Sequence, residues 1–136
     1  MKLSGGCHCG ALRYEIDGEA VASAICHCRD CRKSTGAPLT GWLMIPREAL
    51  TIAGEPKVYA SSAHGRRFFC GTCGASLFYA NAETLPGLID VQSGSLDDPE
   101  QAPPRIHVMG SQRVSWTRRL DDLPEFATYP DQPPEA

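Results

Sequence analysis

Seven cysteines in three tight clusters constrain this chain more than any other feature. The first cluster is Gly6-Cys7-His8-Cys9-Gly10, the second Cys26-His27-Cys28-Arg29-Asp30-Cys31, and the third Cys70-Gly71-Thr72-Cys73-Gly74. The count is odd, so a full disulfide framework would leave one thiol over. Met1 to Gly10 carries one lysine with no apolar run behind it, which does not read as a signal peptide. Nothing approaches the roughly 18 apolar residues of a membrane span. A cytoplasmic chain is therefore expected, and disulfides are rare in that compartment. Metal ligation accommodates both facts.

The third cluster, CxxCG after an aromatic-rich segment, has the form of a zinc knuckle. Glycine lets the chain turn tightly, so that backbone amides point at the sulfurs. Such a turn supplies two thiolates, whereas a structural zinc takes four ligands. Cys7 and Cys9 would complete a four-thiolate site with Cys70 and Cys73. That leaves Cys26, Cys28 and Cys31, a CxCxxC triplet able to converge on a second ion. The alternative takes a pair from the triplet and strands three thiols. Two other readings stay open: small buried cysteines that only pack, and vicinal thiols that act as a redox pair. His8 and His27 sit between cysteines, where an extended segment points the central side chain away from its neighbours. They are not expected to be ligands.

A closed four-thiolate ion has no position for substrate, while a three-ligand ion keeps one. Three thiolates on a dication leave a net negative charge, suited to presenting a soft sulfur rather than acidifying water. Arg29, Arg32 and Lys33 beside the triplet could offset that charge, attract an anion, or simply be solvated.

The chain of 136 residues suits one domain, expected over residues 1–129, with a Pro-rich tail at 130–136. Its formal net charge of −3 argues against a nucleic-acid partner, although Arg113, Arg118 and Arg119 form a local basic stretch. Hydrophobic alternation is mostly of period two. Leu12–Ile16, Val21–Ile25, Trp42–Ile45, Thr51–Ala53, Lys57–Ala60, Arg66–Phe69, Ser76–Tyr79, Leu88–Gln92 and Arg105–Met109 read as strands. Brief helical turns are expected only at Pro46–Leu50 and after Cys28. An all-β fold follows.

These residues resemble the glutathione-dependent formaldehyde-activating enzyme family, also called the centromere protein V family. The resemblance runs through Gly5-Gly6-Cys7-His8-Cys9-Gly10 and from Cys26 to Pro38. It continues in Arg67-Phe68-Phe69-Cys70-Gly71-Thr72-Cys73-Gly74, Leu77-Phe78-Tyr79, Leu96-Asp97-Asp98-Pro99, His107, Trp116 and Asp121-Asp122-Leu123-Pro124, with no cysteine missing. It implies a β-tent of small antiparallel sheets around a zinc knuckle. It also implies a structural zinc on Cys7, Cys9, Cys70 and Cys73 and a catalytic zinc on Cys26, Cys28 and Cys31. The activity implied is of the carbon–sulfur lyase class, joining glutathione and formaldehyde as S-hydroxymethylglutathione. His107 is a candidate proton shuttle. A non-catalytic zinc module and a thiol redox enzyme are the alternatives.

Overall fold

The computed structural model describes residues 1–130, so all of the expected tail except Pro130 lies outside the described residues. Ten strands and one short α-helix carry the fold. Strands β1 (Lys2–Gly6), β2 (Arg13–Asp17) and β5 (Leu50–Ala53) form a three-stranded antiparallel sheet with β2 in the centre. The other seven are β3 (Ala22–Cys26), β4 (Thr40–Pro46), β6 (Lys57–Ala60), β7 (Gly65–Phe69), β8 (Ser76–Asn81), β9 (Leu88–Gln92) and β10 (Ile106–Val108). They make a second sheet in the order β10-β3-β4-β9-β8-β7-β6. The helix α1 spans Arg29–Thr35. The all-β expectation holds.

Alternation decides which face of each strand is buried. In β2 it turns Tyr14 and Ile16 inward, against Leu43 and Ile45 of β4, Ile89 and Val91 of β9, and Phe78 of β8. The core lies between the two sheets, with the Tyr14 ring edge-on to Phe78 at 5.3 Å. Because successive residues face opposite ways, the remaining side chains of the large sheet line its outer face. The register aligns Ala22, Met44, Asp90, Tyr79 and Arg67 in one row across β3, β4, β9, β8 and β7. That row becomes the floor of the site described below.

Three features depart from the sequence reading. Strand β1 was not expected, because Lys-Leu-Ser-Gly-Gly offers one large apolar residue and two glycines. Strand β10 pairs with β3 in parallel, His107 opposite Ile25. Beyond the turn at Arg47–Ala49, 3-10 turns also occur at Ser93–Ser95, Pro99–Gln101, Gly110–Gln112 and Ser115–Asp122. The three-residue turns are too short to show a helical period, and Ser115–Asp122 is broken by non-helical backbone at Arg119. One had a local signal: Asp98 accepts a hydrogen bond from the Glu100 amide and Pro99 opens the turn.

Candidate metal centres and cavity

Two cysteine turns of different length fold alike. In the first, the Cys7 amide donates to the Leu12 carbonyl and the Gly10 amide to the Cys7 carbonyl. In the second, the Cys70 amide donates to Ala75 and the Gly74 amide to Cys70. Gly10 and Gly74 have φ of 82° and 79°, the left-handed region where a side chain is strained. Each turn aims amides at sulfur. The Leu12 amide lies 3.2 Å from Cys7 Sγ, and the Thr72 and Cys73 amides lie 3.4 Å from Cys70 Sγ. Such bonds favour the thiolate form.

The two turns meet so that the sulfurs of Cys7, Cys9, Cys70 and Cys73 lie within 4.8 Å of one another. Cys7 and Cys9 Sγ are 3.6 Å apart, and Cys9 and Cys70 Sγ are 3.7 Å apart. These separations far exceed the roughly 2.05 Å of a disulfide. Thiolates arranged tetrahedrally at about 2.3 Å around one zinc stand about 3.8 Å apart. The set therefore fits one tetrahedral ion.

The second cluster is local. Strand alternation at the end of β3 puts Cys26 and Cys28 on one side and His27 on the other. Cys28 caps α1, its Sγ accepting from the Cys31 amide at 3.2 Å, and the first helical turn brings Cys31 back beside it. The three sulfurs lie within 4.8 Å of one another. Cys31 is held down to about 5, first by a hydrogen bond from Cys26 that outweighs burial, then by Cys28 and Arg67. The Cys26 thiol is pushed up correspondingly, first by its hydrogen bond to Cys31 and then by burial.

The triplet opens into a cavity of about 370 Å³ on the outer face of the large sheet. Trp42, Met44, Ile106 and Val108 line it, with Arg67, Tyr79 and Asp90. Arg67 is 8% exposed; its Nη1 lies 3.9 Å from Cys31 Sγ and its guanidinium stacks 4.7 Å over the Tyr79 ring. The Tyr79 hydroxyl accepts from Asn81 Nδ2 at 3.1 Å. Burial, and secondarily the Cys31 charge, push the Asp90 carboxyl up to about 6. Neither Arg67 nor Asp90 was assigned a role from sequence. The available signal was a charged residue at mid-strand, Asp90 between Ile89 and Val91.

The other expected groups are dispersed. His8 is exposed and His27 is buried, and neither joins a cysteine cluster. His107 faces away from the cavity that its neighbours Ile106 and Val108 line. Its Nδ1 is 2.8 Å from His27 Nε2, with the rings stacked at 5.0 Å. Arg29 and Arg32 line a second, shallower groove that shares Cys28 and Asp30 with the cavity, while Lys33 is outside both. Arg113 folds back on Thr117, donating to its Oγ1 at 2.9 Å. No described helix is long and apolar enough to cross a membrane.

Comparison with known proteins places this geometry. Residues 2–112 match the family model described as "Glutathione-dependent formaldehyde-activating enzyme". A Halomonas elongata protein named "Putative glutathione-dependent formaldehyde-activating enzyme" is 28% identical, covering 97% of this chain and 91% of its own. A protein of Schizosaccharomyces pombe, named an uncharacterised lyase, is 29% identical over 58% of each chain. A crystal structure of a Rhodobacter sphaeroides protein shares the fold, with a TM-score of 0.60 at 21% identity. It covers 78% of this chain and all of that one.

Proposed function

The chain belongs to the glutathione-dependent formaldehyde-activating enzyme family, and from that premise we propose a zinc-dependent enzyme of the carbon–sulfur lyase type. It joins the thiol of glutathione to a small aldehyde such as formaldehyde, or parts their adduct. One observation carries this reading: three sulfurs converge at the wall of a cavity, with a buried guanidinium beside them. Cys7, Cys9, Cys70 and Cys73 would hold a closed structural zinc, and Cys26, Cys28 and Cys31 a second zinc with a position open to substrate. Bound there, zinc would favour thiolate over thiol and polarise a carbonyl oxygen.

The chain's own groups supply the rest. Arg67, stacked on Tyr79, offsets the negative charge that three thiolates leave. The apolar walls of Trp42, Met44 and Val108 lower the local dielectric and so strengthen charge interactions beside them. In the addition, the sulfur–carbon bond forms and the carbonyl π pair moves to oxygen. The proton released from sulfur ends on that oxygen, so no oxidant or reductant is needed. Asp90 lines the same cavity and is the group placed to carry that proton. His107 lies on the far face of β10, outside the cavity lining, which favours Asp90 over it as the proton shuttle. Seven cysteines with no disulfide among them suit a reducing compartment, and the cytoplasm is the location we propose.

The test is glutathione titrated into cobalt-substituted protein. A thiolate entering the shell of the triplet adds charge-transfer intensity, which Cys28→Ser abolishes. An unchanged spectrum in the intact protein would sink the reading and favour a non-catalytic zinc module. A change that survives Cys28→Ser would place the thiol elsewhere.

A further inference from the structure

Formaldehyde has two heavy atoms and no apolar surface to bury. The cavity beside the triplet is far larger, at about 370 Å³, within the range of roughly 300–1,000 Å³ that encloses organic ligands. Asp30 borders it beside the triplet, and Arg67 and Asp90 stand on its β7–β9 side. The opposite side is built from Ala22, Ala24, Met44, Ile106 and Val108. Ile106 and Val108 are 52% and 37% exposed on a three-residue edge strand, and both turn toward this hollow. Ala22 and Ala24 keep the wall open where longer side chains would fill it. Apolar surface of this kind gains by covering with apolar groups, not with water or a one-carbon aldehyde.

A second observation concerns the other side of Cys28. The groove there has a volume of about 570 Å³ and presents Arg29 and Arg32 with a single carboxylate, Asp30, and Gln112. The Gln112 side chain is fixed by the Arg29 amide, which donates to its Oε1 at 2.7 Å. Arg32 Nε is buried without a hydrogen-bond partner among the described residues. Two guanidiniums and one carboxylate complement a tripeptide thiol bearing two carboxylates and one ammonium. Cys28 and Asp30 border both spaces, so a ligand whose sulfur reaches the triplet would extend into each.

We propose that this site takes S-linked adducts of glutathione whose sulfur substituent is an apolar chain, as formed from an aldehyde well above formaldehyde in size. The chain packs against Ala22, Ala24, Met44 and Ile106, and the peptide end lies in the Arg29–Arg32 groove. The proposal rests on the thiol reading of the triplet given above and adds the class of the aldehyde. The addition balances as it does for formaldehyde, since only the carbonyl substituent differs.

Calorimetric titration of the zinc-loaded protein with S-methyl-, S-butyl- and S-hexylglutathione tests it. Each added methylene is expected to tighten binding by about two- to fourfold. Ala22→Leu, which fills the wall, should cut S-hexylglutathione affinity by about tenfold, the equivalent of losing the burial of roughly two methylenes. Ile106→Ser should weaken it about threefold, and because Ile106 is half exposed that variant keeps the sheet intact. If glutathione alters the cobalt spectrum but S-hexylglutathione binds no tighter than S-methylglutathione, the apolar-chain proposal is overturned and the thiol reading stands. If glutathione leaves the spectrum unchanged and none of the three conjugates binds, the thiol reading itself has failed. A chain-length gain unaffected by both substitutions would put the chain outside this cavity and also overturn the proposal.

Discussion

Cys9 and Cys70 meet across 61 residues of chain, whereas Cys26, Cys28 and Cys31 come from one run of six. The first cluster ties β1 and β2 of the small sheet to the β7–β8 hairpin of the large one, and two backbone turns enclose it. The second cluster sits where one strand ends and one helix begins, and its free side is a cavity rather than another pair of sulfurs. Closing a long loop removes more freedom from the unfolded chain than closing a short one. An ion in the first cluster would therefore act mainly on stability. In the second it would act mainly on whatever enters the cavity. The same ligand atom would then serve two purposes, because sequence separation and the neighbouring surface differ.

The largest expected effect breaks the first cluster. Structural zinc contributes on the order of 10–16 kcal/mol in small zinc-finger peptides. A typical domain has a net stability of only about 5–15 kcal/mol. Cys70→Ser should leave a largely unfolded chain at room temperature, seen as a lost near-ultraviolet circular dichroism signal and a metal content falling toward zero. A Cys70→Ser protein that melts like the wild type would end the distinction between the clusters.

Cys28→Ser comes next. It should lower zinc by about one ion per chain and move the melting temperature only a few degrees, since the triplet closes little chain. Serine is itself a favoured N-cap residue, so α1 keeps its cap and the variant reports the loss of the sulfur ligand. If this variant unfolds as completely as Cys70→Ser, the triplet is structural and the open site does not exist.

How far this contrast was legible in the sequence depends on the range of the information. Glycine after Cys9 and after Cys73, and the spacing of Cys26, Cys28 and Cys31, are local signals, and together with the family resemblance they favoured the two sets of sulfurs that the structure gathers. The alternating strands were legible for the same reason. Strand β1 was not, because Gly5 and Gly6 hide its period, and Gly5 is there to let the Tyr14 hydroxyl and the Ser95 carbonyl approach the chain. Arg67 and Asp90 could not be placed, because alternation alone reads their face as solvent. Only the register linking Met44, Asp90, Tyr79 and Arg67 shows that this face floors a cavity. The direction of His107 likewise depends on the parallel register of β10 beside β3, which one chain segment cannot announce.

The smallest effect separates metal from polar contacts around the first cluster. Asp97 accepts hydrogen bonds from Ser4 Oγ at 3.0 Å and from Arg13 Nη1 at 2.9 Å, latching the β1–β2 hairpin to the segment after β9. The Arg13 guanidinium, then Ser4, hold its carboxyl down at about 2. A carboxylate depressed by folding stabilises the native state above its unfolded value, near 3.9, and loses that contribution as pH falls through the folded value. The latch is therefore at full strength from pH 8 down to pH 5. Thiolates around a metal behave otherwise, because protons compete for the sulfurs as pH falls and release the ion. Any loss of melting temperature between pH 7 and pH 5 should then come from groups other than this latch: the sulfurs, and His27, which burial holds below its ordinary value, while the raised Asp90 carboxyl acts in the opposite direction. Asp97→Asn is expected to melt slightly below the wild type at pH 7, by an amount reduced with added salt, since the pair is half exposed. Its further drop from pH 7 to pH 5 should match the wild-type drop within error. A smaller drop in Asp97→Asn would mean that the ion pair, not the cysteine cluster, carries the acid sensitivity of this end of the molecule.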